Sequence, residues 1–162
     1  MSATRLAVPV AAAAALLAAV LGVLALVRSG LDPRVTPPRV ASAQVATQCR
    51  TFTASLPSVL GSYERRGTRP HSELTAAYGT PAITVRCGVV EPKPTGDYDC
   101  RRFGDQDWLV VPRRSDSLFL TFGTSPAVEV VVPDDYQAPP LEGLSGPASR
   151  LPRNGLACPD PG

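Results

Sequence analysis

Four cysteines and one histidine are the side chains of this 162-residue chain best suited to nucleophilic, redox or metal chemistry. Cys49, Cys87, Cys100 and Cys158 sit far apart, and no two of them share a C-x-x-C spacing. A structural zinc site wants ligands paired two to four residues apart, so the spacing argues against metal and for disulfides. Four cysteines allow three pairings. The expected ones are Cys87–Cys100, across what read as neighbouring strands, and Cys49–Cys158, tying an early helix to the tail. His71 would have to serve as base for any Cys–His or Ser–His nucleophile. Cys87 is the nominal partner, but it falls on an inward strand position, and His71 reads as an exposed loop residue. No G-x-S-x-G occurs; Gly143-Leu144-Ser145-Gly146 misses it. Asp97, Asp99, Asp105 and Asp107 invite calcium, yet their spacing departs from the EF-hand loop and suits ordinary turns. The aromatic candidates for touching a ligand are Tyr78 and Trp108, the only tryptophan, for which a core or groove-lining ring is the ordinary reading. No catalytic residue, metal or cofactor is assigned.

The elements that must hold these residues follow from periodicity. Val45, Cys49, Phe52, Leu56, Val59, Leu60 and Tyr63 fall on one helical face, which predicts a helix kinked at Pro57, with Ser55 capping its second half and Gly67 stopping it. A short helix is expected over 72–78. The period then changes to two: Ile83, Val85 and Cys87 alternate with polar neighbours. Further short strands are expected at 101–103, 108–111, 118–122 and 127–132, after a polar loop over 91–99. A last short helix is expected at 141–150. The sum is an α+β, two-layer domain with a four- or five-stranded antiparallel sheet.

Residues Leu6–Val27 form an uncharged run of 22 residues. As a helix it would rise about 33 Å, enough to cross a hydrocarbon core of about 30 Å. The nearest small-x-small site, Ala41-Ser42-Ala43, lies too far beyond the run for an ordinary cleaved signal, although secretion after cleavage is the alternative. The expected organisation is a cytoplasmic tail (1–5), a single membrane span (6–27), a proline-rich extracytoplasmic linker (28–43) and a disulfide-stapled domain (44–162). Arg28, Arg34 and Arg39 on the exported side run against the positive-inside rule, while the cysteines favour export. Residues 1–43 carry a net +3 and residues 44–162 a net −1. A near-neutral domain lacks the basic excess that drives nucleic-acid binding.

Several stretches taken together carry a resemblance: Cys49 with Leu56-Pro57, Ala76-Ala77-Tyr78-Gly79-Thr80-Pro81 running into Arg86-Cys87-Gly88, Cys100 before Trp108, Pro126-Ala127-Val128-Glu129-Val130, and Cys158. The chain resembles, over about residues 44–160, an actinobacterial family catalogued as domain of unknown function 3515. Tyr78-Gly79 stands where the family has a tryptophan–glycine pair. The resemblance implies a secreted or single-pass envelope protein. Through gene neighbourhood with a D-alanine–D-alanine ligase it also implies a place near peptidoglycan construction. It supplies no catalytic residues. The expectation is a non-enzymatic, membrane-tethered module that binds an envelope protein or cell-wall component. The alternative is an envelope thiol-redox protein or hydrolase using Cys87 or Cys100 with His71.

Overall fold

The computed structural model describes residues 13–24, 32–93 and 99–159. The chain divides into two units, Met1–Asp32 and Pro33–Gly162. In the first, residues 13–24 are helical (α1) with every side chain exposed, Leu16, Leu17, Val20 and Leu24 among them. Among the described residues no helix is long and apolar enough to cross a membrane. The ends of the expected span, the 1–5 tail and residues 28–31 lie outside the described residues, as does Asp97.

The second unit begins earlier than the expected domain start at residue 44. Val35 is buried, its amide donates to Arg69 O at 2.9 Å, and Arg69 N donates to Pro33 O at 2.9 Å. A proline-rich strip cannot build its own ladder, and here it lies along the domain.

Helix α2 (Ala43–Ala54) starts at Ser42, whose Oγ accepts from Val45 N at 3.2 Å, the ordinary N-cap geometry. It buries Cys49 and Phe52 as its stripe requires. It does not continue to Tyr63. Pro57 disfavours helical backbone at Leu56. The chain then makes a tight hairpin, β1 (Val59–Leu60) against β2 (Tyr63–Arg66), turning at Gly61 with φ +63. The positive φ is open to glycine without penalty. The expected helix at 72–78 is a strand, β3 (Thr75–Tyr78), buried along its whole length and paired on both sides. Pairing on two edges overrides the helix propensity of Ala76 and Ala77.

Five longer strands follow: β4 (Ile83–Val89), β5 (Asp99–Phe103), β6 (Gln106–Pro112), β7 (Asp116–Phe122) and β8 (Ala127–Pro133). The sheet has eight antiparallel strands, not four or five, in the order β1-β2-β3-β4-β8-β7-β6-β5. It is two four-stranded meanders joined where β4 meets β8. One row across it, Ala76, Val85, Val130, Phe119 and Val110, supplies the middle of the core. Helix α2 packs Cys49 and Phe52 against that core, and α3 (Glu142–Ser149) adds Leu144 and Ala148. Gly143 lets α3 approach β1, since a Cβ there would stand 2.7 Å from Leu60 Cδ1.

This topology sets the disulfides. They are Cys49–Cys87 and Cys100–Cys158, so the expected pairings are corrected. Strands β4 and β5 are consecutive in sequence but four ladder spacings apart, about 19 Å of sheet. No disulfide bridges that distance. Each bond instead staples one half: α2 to β4, and β5 to the C-terminal tail.

Candidate functional site: a basic cleft between α2 and β2

Tyr78 and Trp108, expected as contacts for a ligand, are fully buried. Tyr78 donates its hydroxyl to Pro57 O at 2.8 Å. Burial raises its pKa, and the Arg65 charge partly offsets that. Trp108 Nε1 donates to Ser145 Oγ at 3.3 Å, joining β6 to α3. Both rings are core, because each sits where a helix or loop closes over the sheet. Cys87 is bonded to Cys49 and has no exposed surface, so in this state it offers no thiol to His71. The described aspartates of the turn cluster face arginines or lie in turns. Asp99 pairs with Arg101 at 2.7 Å, and Asp107 with Arg102 at 2.7 Å. Among the described residues no group of three or more His, Cys, Asp or Glu side chains could hold a metal ion.

Asp107 deserves a structural account. Burial pushes its carboxyl pKa up. The hydrogen bond from Arg102, the Cys158 amide at 2.9 Å and the charges of Arg102 and Arg153 outweigh that and hold it below the ordinary carboxylate value. It is the latch that receives the C-terminal tail. Arg153 reinforces the latch through Gln106 Oε1 and Asp105 O, both at 3.3 Å.

What the linear pattern does not show is a polar cleft of about 590 Å³. One wall is the α2 face carrying Arg50, Thr51 and Thr53; the other is Arg65 and Arg66 of β2 with the 67–75 segment, including Thr68, His71, Ser72 and Glu73. Arg101, Arg102 and Arg113 meet carboxylates, as an acid-paired surface should. Arg65 does not. Its Nη2 donates to Thr53 O at 3.0 Å and its Nη1 to Leu56 O at 3.4 Å, at the C-terminal end of α2. A cation there satisfies carbonyls that the helix leaves open. Arg66 Nη1 donates to Gly79 O and Thr80 Oγ1, at 2.9 and 2.8 Å. Arg50 donates to Thr47 Oγ1 at 3.0 Å, one turn back on its own helix. Neither Arg50 nor Arg65 forms an ion pair among the described residues. Thr53 is 4% exposed, and its Oγ1 has no hydrogen-bond partner, an open valence that costs stability when left unfilled. His71 is exposed, as expected, and stands on the rim.

The sequence missed this cleft because it placed residue 50 and the 65–66 pair on one continuous helix. The turn at Pro57 and Gly61 folds the second segment back as a strand, which brings the three arginines to one concavity.

The domain is α+β with an antiparallel sheet, and its two disulfides point to an extracytoplasmic setting. Its lineage is equally plain: the chain belongs to the family described as "Protein of unknown function (DUF3515)", whose family model matches residues 10–155. No curated protein and no solved structure matches it.

Proposed function

We propose that the protein is a membrane-tethered, extracytoplasmic binding module of the cell envelope. It holds a protein or cell-wall component in the cleft between α2 and β2 and does no covalent chemistry there. The apolar run Leu6–Val27 supports the tether, and the two disulfides support the oxidising side. The observation that carries the reading is Arg50, a cation hydrogen-bonded only to the neutral Thr47 Oγ1, on the wall of a cleft that sets three arginines against the single carboxylate of Glu73. A domain whose net charge is −1 has little reason to concentrate unneutralised cations unless something negative meets them. With four cysteines in disulfides the cleft offers no thiol, and its arginines, hydroxyls and Glu73 supply binding groups.

The test is a photo-cross-linking residue at position 51, on the cleft wall, in intact cells. The expected result is a discrete adduct with an envelope component, absent when the same residue is placed at the exposed Val90, outside the cleft. Alkylation without reductant should find all four cysteines blocked. The reading is wrong if the purified chain turns over a wall substrate and loses that turnover, while still folded, in His71→Ala.

A further inference from the structure

Resting on the cleft as the binding site, we infer that its ligand is a phosphate ester of a polyol or amino alcohol. The donors decide this. Arg50 and Arg65 keep N–H groups beyond those they spend on Thr47 Oγ1, Thr53 O and Leu56 O. Ser72, on the opposite wall, adds a hydroxyl. One carboxylate offers two oxygens, and one forked guanidinium fills them. A phosphoryl group, with three terminal oxygens in a monoester or two terminal and two ester oxygens in a diester, sets its acceptors tetrahedrally and takes donors from two walls at once, as guanidinium groups arranged around it allow. Glu73 shares the cleft and forms no ion pair among the described residues. Beside a simple anion it would only repel; it suits a hydroxyl or ammonium on the alcohol side of the ester. At about 590 Å³ the cleft has room for such a body as well as the phosphate.

Two sources carry this chemistry: a lipid headgroup and a soluble phosphate ester. The chain joins the folded unit beside the cleft, where Pro33 and Val35 pair with Arg69, two residues before His71.

His71 is the only histidine, so the full chain labelled with ¹⁵N-histidine gives one imidazole signal at the cleft rim. The chain in neutral detergent is titrated with glycerol 3-phosphate and, separately, with glutarate. In nanodiscs, phosphatidylglycerol is compared with a phosphate-free monoglycosyl diacylglycerol. The expected result is a saturable His71 shift with glycerol 3-phosphate, with phosphatidylglycerol, or with both; which of them responds identifies the source. Apparent affinity should fall roughly tenfold or more in Arg50→Gln and in Arg65→Gln, as the loss of one charge-assisted contact requires. Arg65 also closes the end of α2, so Arg50→Gln carries the test if Arg65→Gln fails to fold. Glutarate binding as tightly as the phosphates overturns the ligand class and leaves the binding-module reading standing. No shift with any phosphate probe, or equal affinity in Arg50→Gln, also overturns this inference; a cross-link at position 51 in the same cells would then show that the failure is the ligand class alone.

Discussion

Removing the disulfides one at a time separates what loop closure contributes from what burial contributes. Cys49–Cys87 closes 38 residues and Cys100–Cys158 closes 58. On the chain-entropy relation these are worth about 3.9 and about 4.2 kcal/mol, so loop length alone ranks the longer one first. Burial reverses the order. Both sulfurs of the first pair lie at 0% exposure in the seam between α2 and β4, while Cys100 and Cys158 are half-exposed. Taking two buried sulfurs away as Cys49→Ala with Cys87→Ala costs about 1.5 kcal/mol more, at about 0.8 kcal/mol for each methylene-sized group. The first double variant therefore loses about 5.5 kcal/mol and the second about 4. For a domain whose total stability is of order 5–15 kcal/mol, the first approaches unfolding. Urea denaturation followed by the fluorescence of Trp108, the only tryptophan and a core residue, measures both. Mild dithiothreitol should open Cys100–Cys158 first, leaving the fluorescence native. A non-reducing peptide map linking Cys87 to Cys100, or a larger stability loss in the Cys100/Cys158 variant, refutes the reasoning.

Two further outcomes concern the tail. Gly123 has φ +83, and a Cβ there would sit 2.2 Å from Leu156 O, a backbone atom that cannot swing aside. Gly123→Ala should lower the thermal midpoint by roughly 5 °C or more, since the left-handed backbone alone costs about 1–2 kcal/mol, and should make Cys100–Cys158 easier to reduce; an unchanged midpoint would contradict it. Asp107 has a folded pKa below its unfolded one, so its contribution is present above the ordinary carboxylate pKa and is lost as pH falls through the lowered value. Denaturation midpoints between pH 6 and pH 2 should therefore decline less in Asp107→Asn than in the parent chain, and parallel profiles would count against the latch.

The strands that could be read from sequence were those with one buried face. Ile83, Val85 and Cys87 alternate with half-exposed neighbours, and Val128, Val130 and Val132 do the same, so a period of two is written into the side chains. Thr75–Tyr78 was hidden because it is buried on both faces and alternates nothing. The overlong helix has a different cause. Val59, Leu60 and Tyr63 keep the helical phase of Cys49 and Phe52 by coincidence of spacing, and only the backbone demands of Pro57 and Gly61 break it. The strand order was beyond local pattern altogether. That β8 returns to β4 is a pairing between segments some forty residues apart, as in Arg86 with Glu129, and nothing in either segment names the other. The disulfide pairing inherits that gap, because which cysteines meet depends on which strands are neighbours.

The cleft raises the question of whether its arginines need a ligand to explain them. Arg86, Arg101, Arg102 and Arg113 each face a carboxylate and are accounted for by charge pairing on the sheet and its hairpins. Arg65 has a structural explanation of its own. Its guanidinium meets Thr53 O in the last turn of α2 and Leu56 O just beyond it, where the helix dipole favours a positive group, and this would hold with the cleft empty. Arg50 has no such task. It is exposed, and its one hydrogen bond goes to Thr47 on the same helix, a contact worth a few tenths of a kcal/mol. The ligand reading therefore turns on Arg50 rather than on the larger cluster. Replacing Arg50 disturbs almost nothing that holds the fold, so a loss of binding in that variant is a loss at the site.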